Sequence, residues 1–289
     1  MASSVIELIK VLRERTGAGN MDCKKALEEC GMNVEKAVDY LREKGIVKAA
    51  KKASRIAAEG LTDIKEHGNK AVIVEVNCET DFVAKGKIFG KLASDLSQLV
   101  LTKDFADIDS AREAAKSILL DASIALGEKL DFRRFKVIEK TSHEHFGTYI
   151  HNGSKIGVIV VLDKKDDEVA QGLAMHIAAN APIYICKHCI PDDVREYERK
   201  IALEVAKDDP KLQGKPELAL KSIIDGKVNK ILSEQTLLEQ MYLMSNEETV
   251  GQYLEKKKIN VLEFVRYFVG EGIEKRRDDF ACEVMSQNK

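Results

Sequence analysis

Apolar residues at Val5, Leu8, Ile9 and Leu12 open the chain with the i, i+3, i+4, i+7 spacing of an amphipathic helix. Ser4 and Glu7 have capping-box spacing ahead of it, and Thr16-Gly17-Ala18-Gly19 ends it. A second stripe follows at Cys23, Ala26, Leu27 and Cys30, with Asn20 expected as its cap and Gly31 as its stop. A third runs through Val34, Ala37, Val38 and Leu41, capped by Asn33 and expected to end at Gly45. Helices of about ten residues are marginal alone, so these must pack on one another as a miniature bundle.

The pattern changes after Glu43. Lys44, Lys48, Lys51, Lys52 and Arg55 are spaced by alanines, with no acidic residue before Glu59. This stretch is a solvated helical linker or a basic arm that meets an acidic partner. From Glu59 the period becomes that of strands. Gly60–Glu66 alternates, His67-Gly68-Asn69 is a turn, and Ala71–Val76 is β-rich, which together predict a hairpin. Helices are predicted over Phe82–Val100 and Ser110–Leu126, then a strand over Phe132–Ile138.

The same order recurs. A strand over Gly147–His151 runs into Asn152-Gly153, a strong hairpin signal, and returns over Lys155–Val161. Helices over roughly 166–180, 191–208 and 214–235 precede a last strand, Phe264–Val269. The core therefore reads as a duplicated unit of hairpin, helices and strand. Helices 191–208 and 214–235, linked through Asp208-Asp209-Pro210 and Gly214, are an ordinary packed pair or a projecting hairpin.

A chain of 289 residues suggests about two domains. The 33% charged content exceeds the usual ~25% and fits long solvated helices. Lys+Arg total 46 against 48 Asp+Glu, which excludes a wholesale nucleic-acid coat but not local basic patches. No apolar run reaches the ~18 residues of a membrane helix. Glu7, Lys10 and Arg13 interrupt the stretch where a signal peptide would be apolar. Several of the cysteines fall inside apolar stripes, where they act as small hydrophobes. These features predict a reduced, cytoplasmic protein.

Few residues carry candidate chemistry. Cys186-Lys187-His188-Cys189 has C-x-x-C spacing, but a structural zinc site needs a second pair, and a redox motif should open a helix. A reducing cytoplasm disfavours a lasting disulfide, so neither a metal nor a redox role is expected. His143 and His145 alternate on an expected strand without a carboxylate partner in view and read as surface residues. No Gly-rich phosphate loop or nucleophile elbow occurs, so no cofactor and no catalytic residue is expected. Val76–Val83 stands apart, because it leaves a strand and enters a helix with Thr80 or Asp81 as cap. Phe82 then sits at the corner, either as a buried anchor or as an aromatic presented to a partner.

Three stretches resemble the bacterial elongation factor Ts family: Leu12–Gly19 with Met21–Leu27, Glu75–Ala84, and Val269–Lys275. Weaker similarity covers Ala49–Ala53, Ile156–Val158, Met175–Ala179 and Thr249–Gln252. The stretch from Asn180 to Pro191 departs from the family pattern. The resemblance implies an α+β fold, with a three-helix ubiquitin-associated-type bundle over 1–54 and core subdomains over 55–140 and over 141–182 with 236–272. It also implies a helical-hairpin insertion over 183–235, used for dimerisation in some members, and a C-terminal helical module over 273–289.

The resemblance further implies a guanine-nucleotide exchange factor for elongation factor Tu. In that role Phe82 is a wedge, and Asp81 beside it disturbs the partner's Mg²⁺ and phosphate sites. Thr80 and Val83 hold the turn. Met21, Lys24, Lys51 and Lys52 dock the bundle on the partner, and His151, Leu243 and Met244 are further contacts. A competing reading is an RNA-binding or ubiquitin-like-binding helical module. The basic stretch carries no aromatic residue to stack on bases.

Overall fold

The computed structural model describes residues 5–208, 216–245 and 247–274. Ser4 of the first expected cap, the 209–215 link with Pro210 and Gly214, and the C-terminal module beyond residue 274 lie outside the described residues.

The bundle consists of α1 (Val5–Thr16), α2 (Asn20–Glu29) and α3 (Val34–Lys52). Its core is the predicted stripes: Leu12, Cys23, Ala26, Leu27, Ala37 and Leu41. Asn33 caps α3 by accepting the Lys36 amide at 3.0 Å. Asn20 does not cap α2; it is the first helical residue, and the extended Gly19 precedes it without a side-chain bond. Gly45 does not stop α3 either. The helix runs on through it to Lys52, because Gly45 is where α3 meets a later helix. A Cβ there would lie 2.6 Å from Ile124 Cγ1. Gly45→Val should therefore destabilise the fold by about 1–3 kcal/mol through overpacking, measured by urea unfolding. Gly45→Ala should cost less, since alanine regains about 1 kcal/mol of helix propensity.

The first sheet is antiparallel in the order β1 (Glu59–His67), β2 (Lys70–Cys78), β3 (Asp131–Glu139). Between β2 and β3 lie α4 (Asp81–Ala84), α5 (Lys87–Thr102), α6 (Ile108–Ala114) and α7 (Lys116–Leu126). Val72, Val74 and Val76 of the sheet pack with Phe89, Leu92, Leu96 and Val100 of α5 and with Phe132. β2 is buried along almost its whole length because its other face is covered too. A Cβ on Gly157 would meet Ile73 Cδ1 at 2.9 Å, and Thr62 N donates to Ser154 O at 2.7 Å.

The continuous helix expected over Phe82–Val100 is broken. α4 closes with Gly86 N donating to Val83 O at 2.9 Å, and α5 restarts after the extended Gly86. In an unbroken helix Phe82 and Phe89, seven residues apart, would share a face and be buried together. The break buries Phe89 and turns Phe82 outward. The helix expected over Ser110–Leu126 is likewise divided, at Ala115, after an Asp107–Ser110 capping box begins α6 early.

The second sheet is antiparallel in the order β4 (His145–His151), β5 (Ile156–Leu162), β6 (Val261–Phe268). Asn152 and Gly153 take positive φ of 51° and 61°, as the hairpin signal requires, and Ser154 follows at 68°. α8 (Asp167–Asn180) buries Val169, Leu173, Ala174 and Ile177. β4 approaches it closely at Gly147, where a Cβ would lie 2.8 Å from the Ala170 carbonyl carbon. α9 (Asp192–Asp208) and α10 (Glu217–Glu234) form a helical hairpin with a small core of its own: Ile190, Ala202, Ala206, Ile224, Val228 and Leu232.

α11 (Val250–Lys257) was not expected, although Thr249 and Gln252 have the spacing of the capping box that begins it. The last strand starts at Val261 rather than Phe264. His143 and His145 do not share a strand face, because β4 begins only at His145. His145 is half-buried and lies 2.8 Å from Asp167, a partner that helix α8 supplies. By compactness the chain forms two units: Met1–Glu139 with Ile150–Gly157 and Tyr267–Lys289, and Lys140–Tyr149 with Val158–Arg266.

Candidate functional site

The corner between β2 and α4 is built from side chains distant in sequence. Thr80 is the extended N-cap of α4, and its Oγ1 accepts the Val83 amide at 3.4 Å. The same hydroxyl donates to Glu128 Oε1 at 2.6 Å. Glu128 Oε2 accepts the backbone amides of Glu79 and Thr80 at 2.9 and 3.0 Å. The Glu79 carboxylate in turn accepts the Lys129 amide at 2.6 Å and pairs with Arg55 at 3.2 Å. Two carboxylates, neither on the corner's own helix, thus tie 79–83 to the loop after α7.

On that braced corner Phe82 is 84% exposed. The buried-anchor reading of this residue is therefore overturned. Val83, one position on, packs inward against the α5 core. Asp81 faces Lys85, whose ammonium lies 2.7 Å from its carboxylate and holds its pKa below the usual range. The bonds to Glu128 and within the cap hold the backbone of the corner, so the point from which Phe82 projects is set in the free protein.

The basic stretch is not a free arm. It is the last turns of α3, and much of its charge is used within the chain. Lys48 pairs with Asp22 at 2.9 Å, and Lys52 donates to the Gly127 carbonyl beyond the C-terminus of α7. Lys129 Nζ donates to the carbonyls of Ala53 and Arg55 at 2.7 and 2.8 Å. Lys52 and Thr80, far apart in sequence, therefore converge on one loop, residues 127–129. Beside it Lys25, Lys44, Lys48, Lys51 and Lys52 line a groove of about 590 Å³ in which Asp22 is the one acidic residue. Met21 is exposed at the start of α2, and Lys24 lies 3.8 Å from Glu28.

In the second unit Leu243 and Met244 are exposed in a turn after α10. The turn is held by His176 of α8, which is fully buried. Its Nδ1 accepts the Leu243 amide at 3.2 Å, so its Nε2 carries the proton and donates to Gln240 Oε1 at 2.9 Å. Burial lowers the pKa of this histidine and keeps it neutral. His151 is exposed at the end of β4, directly before the Asn152-Gly153 turn.

Residues 79–271 match the family model described as Elongation factor TS. A protein named elongation factor Ts from Acholeplasma laidlawii (strain PG-8A) is 44% identical over 287 residues, covering 97% of each chain. The chain belongs to the elongation factor Ts family. It is accordingly a translation elongation factor, and among the described residues no helix is long and apolar enough to cross a membrane.

Sequence reasoning missed Glu128, Glu79 and His176 as the groups that position the elongation factor's exposed residues. Glu128 leaves no local signal, since it is 48 residues from Thr80, and Glu79, although inside the stretch singled out, meets the Lys129 amide 50 residues away. His176 left one: it is a polar residue on a helix face that is otherwise apolar.

The expectation for Cys186 and Cys189 also requires correction. The two are joined as a disulfide, with Cα atoms 5.2 Å apart. A short 3₁₀ turn over Lys187–Cys189 brings the sulfurs together, so C-x-x-C closes here without opening a helix in a βαβ unit.

Proposed function

We propose that this elongation factor binds elongation factor Tu carrying GDP and promotes release of the nucleotide, so that GTP can reload. No covalent bond is made or broken, and the protein is not an enzyme in the chemical sense. The factor favours the nucleotide-free partner, and by linkage factor and nucleotide weaken each other's affinity by the same ratio. Family membership across the chain supports this reading, and the observation that carries it is an 84% exposed phenylalanine on a corner braced by Glu128.

In this reading Phe82 inserts as a wedge into the partner's nucleotide domain. Asp81 acts beside it on the hydrogen bonding around the partner's Mg²⁺ and phosphates, while Thr80 and Val83 keep the turn. Met21, Lys24, Lys51 and Lys52 dock the bundle, and His151, Leu243 and Met244 add contacts. The setting is cytoplasmic. The α9–α10 hairpin self-associates with a second copy, which is supported by Tyr197, Ile201 and Val205 lying exposed at i, i+4 and i+8 on α9.

The test is release of fluorescent GDP from purified elongation factor Tu. Catalytic amounts of the protein should accelerate it, and unchanged release at an excess would refute the proposal. Glu128→Ala should lower exchange several-fold although Glu128 is only a brace. It removes the acceptor of two backbone amides and a hydroxyl, and such charge-assisted bonds are worth about 1.5–3 kcal/mol each. Release kinetics at matched protein concentration measure the loss.

A further inference from the structure

We propose that Cys186 and Cys189 are a reversible dithiol–disulfide pair, open to exchange with small thiols and dithiol reductants, whose state sets the order of the neck of the α9–α10 hairpin.

The neck is where the chain enters and leaves the hairpin. Ile183 N and Tyr184 N both donate to Gln235 O, at 2.9 and 3.1 Å. Leu237 N donates to Tyr184 O at 2.8 Å and Leu238 N to Ile185 O at 3.1 Å. The disulfide lies directly beyond this pairing. Within its turn Cys189 N donates to Cys186 O at 3.0 Å and Ile190 N to Lys187 O at 3.3 Å. The Arg195 guanidinium, one turn into α9, donates to the Lys187 carbonyl and, at 3.4 Å, to that of Ile190. Ile190 itself is 4% exposed and begins the hairpin core. The cross-linked turn thus determines where Ile190 is seated and how α9 starts.

As a permanent staple this bond would be a poor device. It spans a sequence separation of three, and a short loop restrains the unfolded chain least. As an exchange site it is well placed. Cys189 is exposed and Cys186 half-buried, so an external thiolate reaches the Cys189 sulfur. C-x-x-C spacing keeps the leaving Cys186 sulfur beside Cys189, so the pair re-forms readily once the mixed disulfide resolves, while the Lys187 ammonium is engaged by Glu239 at 2.7 Å. Cys23 and Cys78 are buried free thiols, and burial pushes the Cys78 thiol up to about 12. Neither of these is a competing nucleophile near neutral pH, and the half-buried Cys30 is the one described free thiol that a labelling experiment must resolve separately. Exposed disulfides are the labile ones, and those found in reducing compartments are transient or sensing rather than structural.

The chemistry balances with a dithiol as reductant. Its thiolate attacks the Cys189 sulfur, the Cys186–Cys189 bond breaks, and Cys186 leaves as thiolate and takes up a proton. The second thiol of the reductant then attacks the mixed disulfide and releases Cys189, which is protonated in turn. The protein gains two electrons and two protons, and the reductant departs as its own disulfide.

The test uses the full chain, air-oxidised and folded. Iodoacetamide should label neither Cys186 nor Cys189 before reduction and both after low-millimolar dithiothreitol without denaturant, with Cys23 and Cys78 unlabelled throughout, by peptide mass spectrometry. Hydrogen exchange at the amides of Cys189, Ile190 and Arg195 should rise at least tenfold on reduction, with β2 unchanged. The double variant Cys186→Ser, Cys189→Ser should exchange like the reduced form and ignore dithiothreitol. Labelling before reduction, resistance to dithiothreitol without denaturant, stoichiometric zinc in the reduced protein, or equal exchange in both states would each overturn the proposal.

Discussion

Phe82→Ala will lower GDP release from elongation factor Tu by about 30-fold or more, while the urea midpoint of the protein stays where it was. The first half follows from the wedge proposed for Phe82. A buried aromatic anchor at an interface typically carries about 2 kcal/mol or more, and that converts to roughly 30-fold. The second half follows from exposure. Phe82 is 84% exposed in the free protein, and a surface substitution changes stability by about 0.5 kcal/mol or less. Phe89, one helix further on, is the matched control. It is fully buried against the sheet, so Phe89→Ala should cost about 3–5 kcal/mol of stability. Stopped-flow release and urea unfolding on both variants separate the two roles. Normal release by Phe82→Ala would remove the wedge from the mechanism.

Glu75→Ala should be among the most destabilising single substitutions in the chain, at about 3–5 kcal/mol. Glu75 is a fully buried carboxylate in the middle of β2. It receives Arg133 Nη1 at 2.9 Å, Arg134 Nε at 2.6 Å and the Gly270 amide at 2.8 Å. Arg134 also lies over the Tyr267 ring, 4.1 Å from its centroid, and burial raises the Tyr267 hydroxyl to about 12. One side chain therefore joins β2, β3 and the segment around Gly270. Removing it takes away the buried carboxylate that both guanidinium groups share and the acceptor of the Gly270 amide. Arg133 keeps the Glu271 carbonyl and Arg134 keeps the Glu271 carboxylate, but at the more exposed end of the pair. A broken buried pair costs far more than the intact pair contributes. Glu75→Gln keeps an oxygen for the Gly270 amide and should fall between. Urea unfolding gives the magnitude. Hydrogen exchange at Gly270 should rise in both variants, and an unaltered unfolding curve for Glu75→Ala would show that the carboxylate is not the joint.

Much of this protein is legible in its sequence. Asn33 caps α3 and Asn152-Gly153 turns a hairpin because both act within a few residues of themselves. The stripes of the bundle and the alternation of the strands were readable for the same reason. Each reports which face of one element avoids water, and that preference is written along the element itself. The corner at Thr80–Val83 could be located from its cap and its strand-to-helix position, and it lies within Glu75–Ala84, one of the three stretches that carry the family resemblance.

The remainder depended on groups that meet only after folding. Gly45 carries the signature of a helix stop, yet Ile124 makes it a crossing point. Phe82 fits a buried stripe as well as an exposed tip, and the break at Gly86 decides between them. Lys52 is one of a run of lysines until the Gly127 carbonyl gives it a partner, and Thr80 gains its brace from Glu128, 48 residues away. Cys186 and Cys189 needed a 3₁₀ turn and the pairing at the hairpin neck before their sulfurs could meet. Local backbone preference and periodicity determine where elements form and which face is apolar. Close approach, charge pairing and the exposure of a single side chain depend on what the chain brings opposite, and only the tertiary structure decides that.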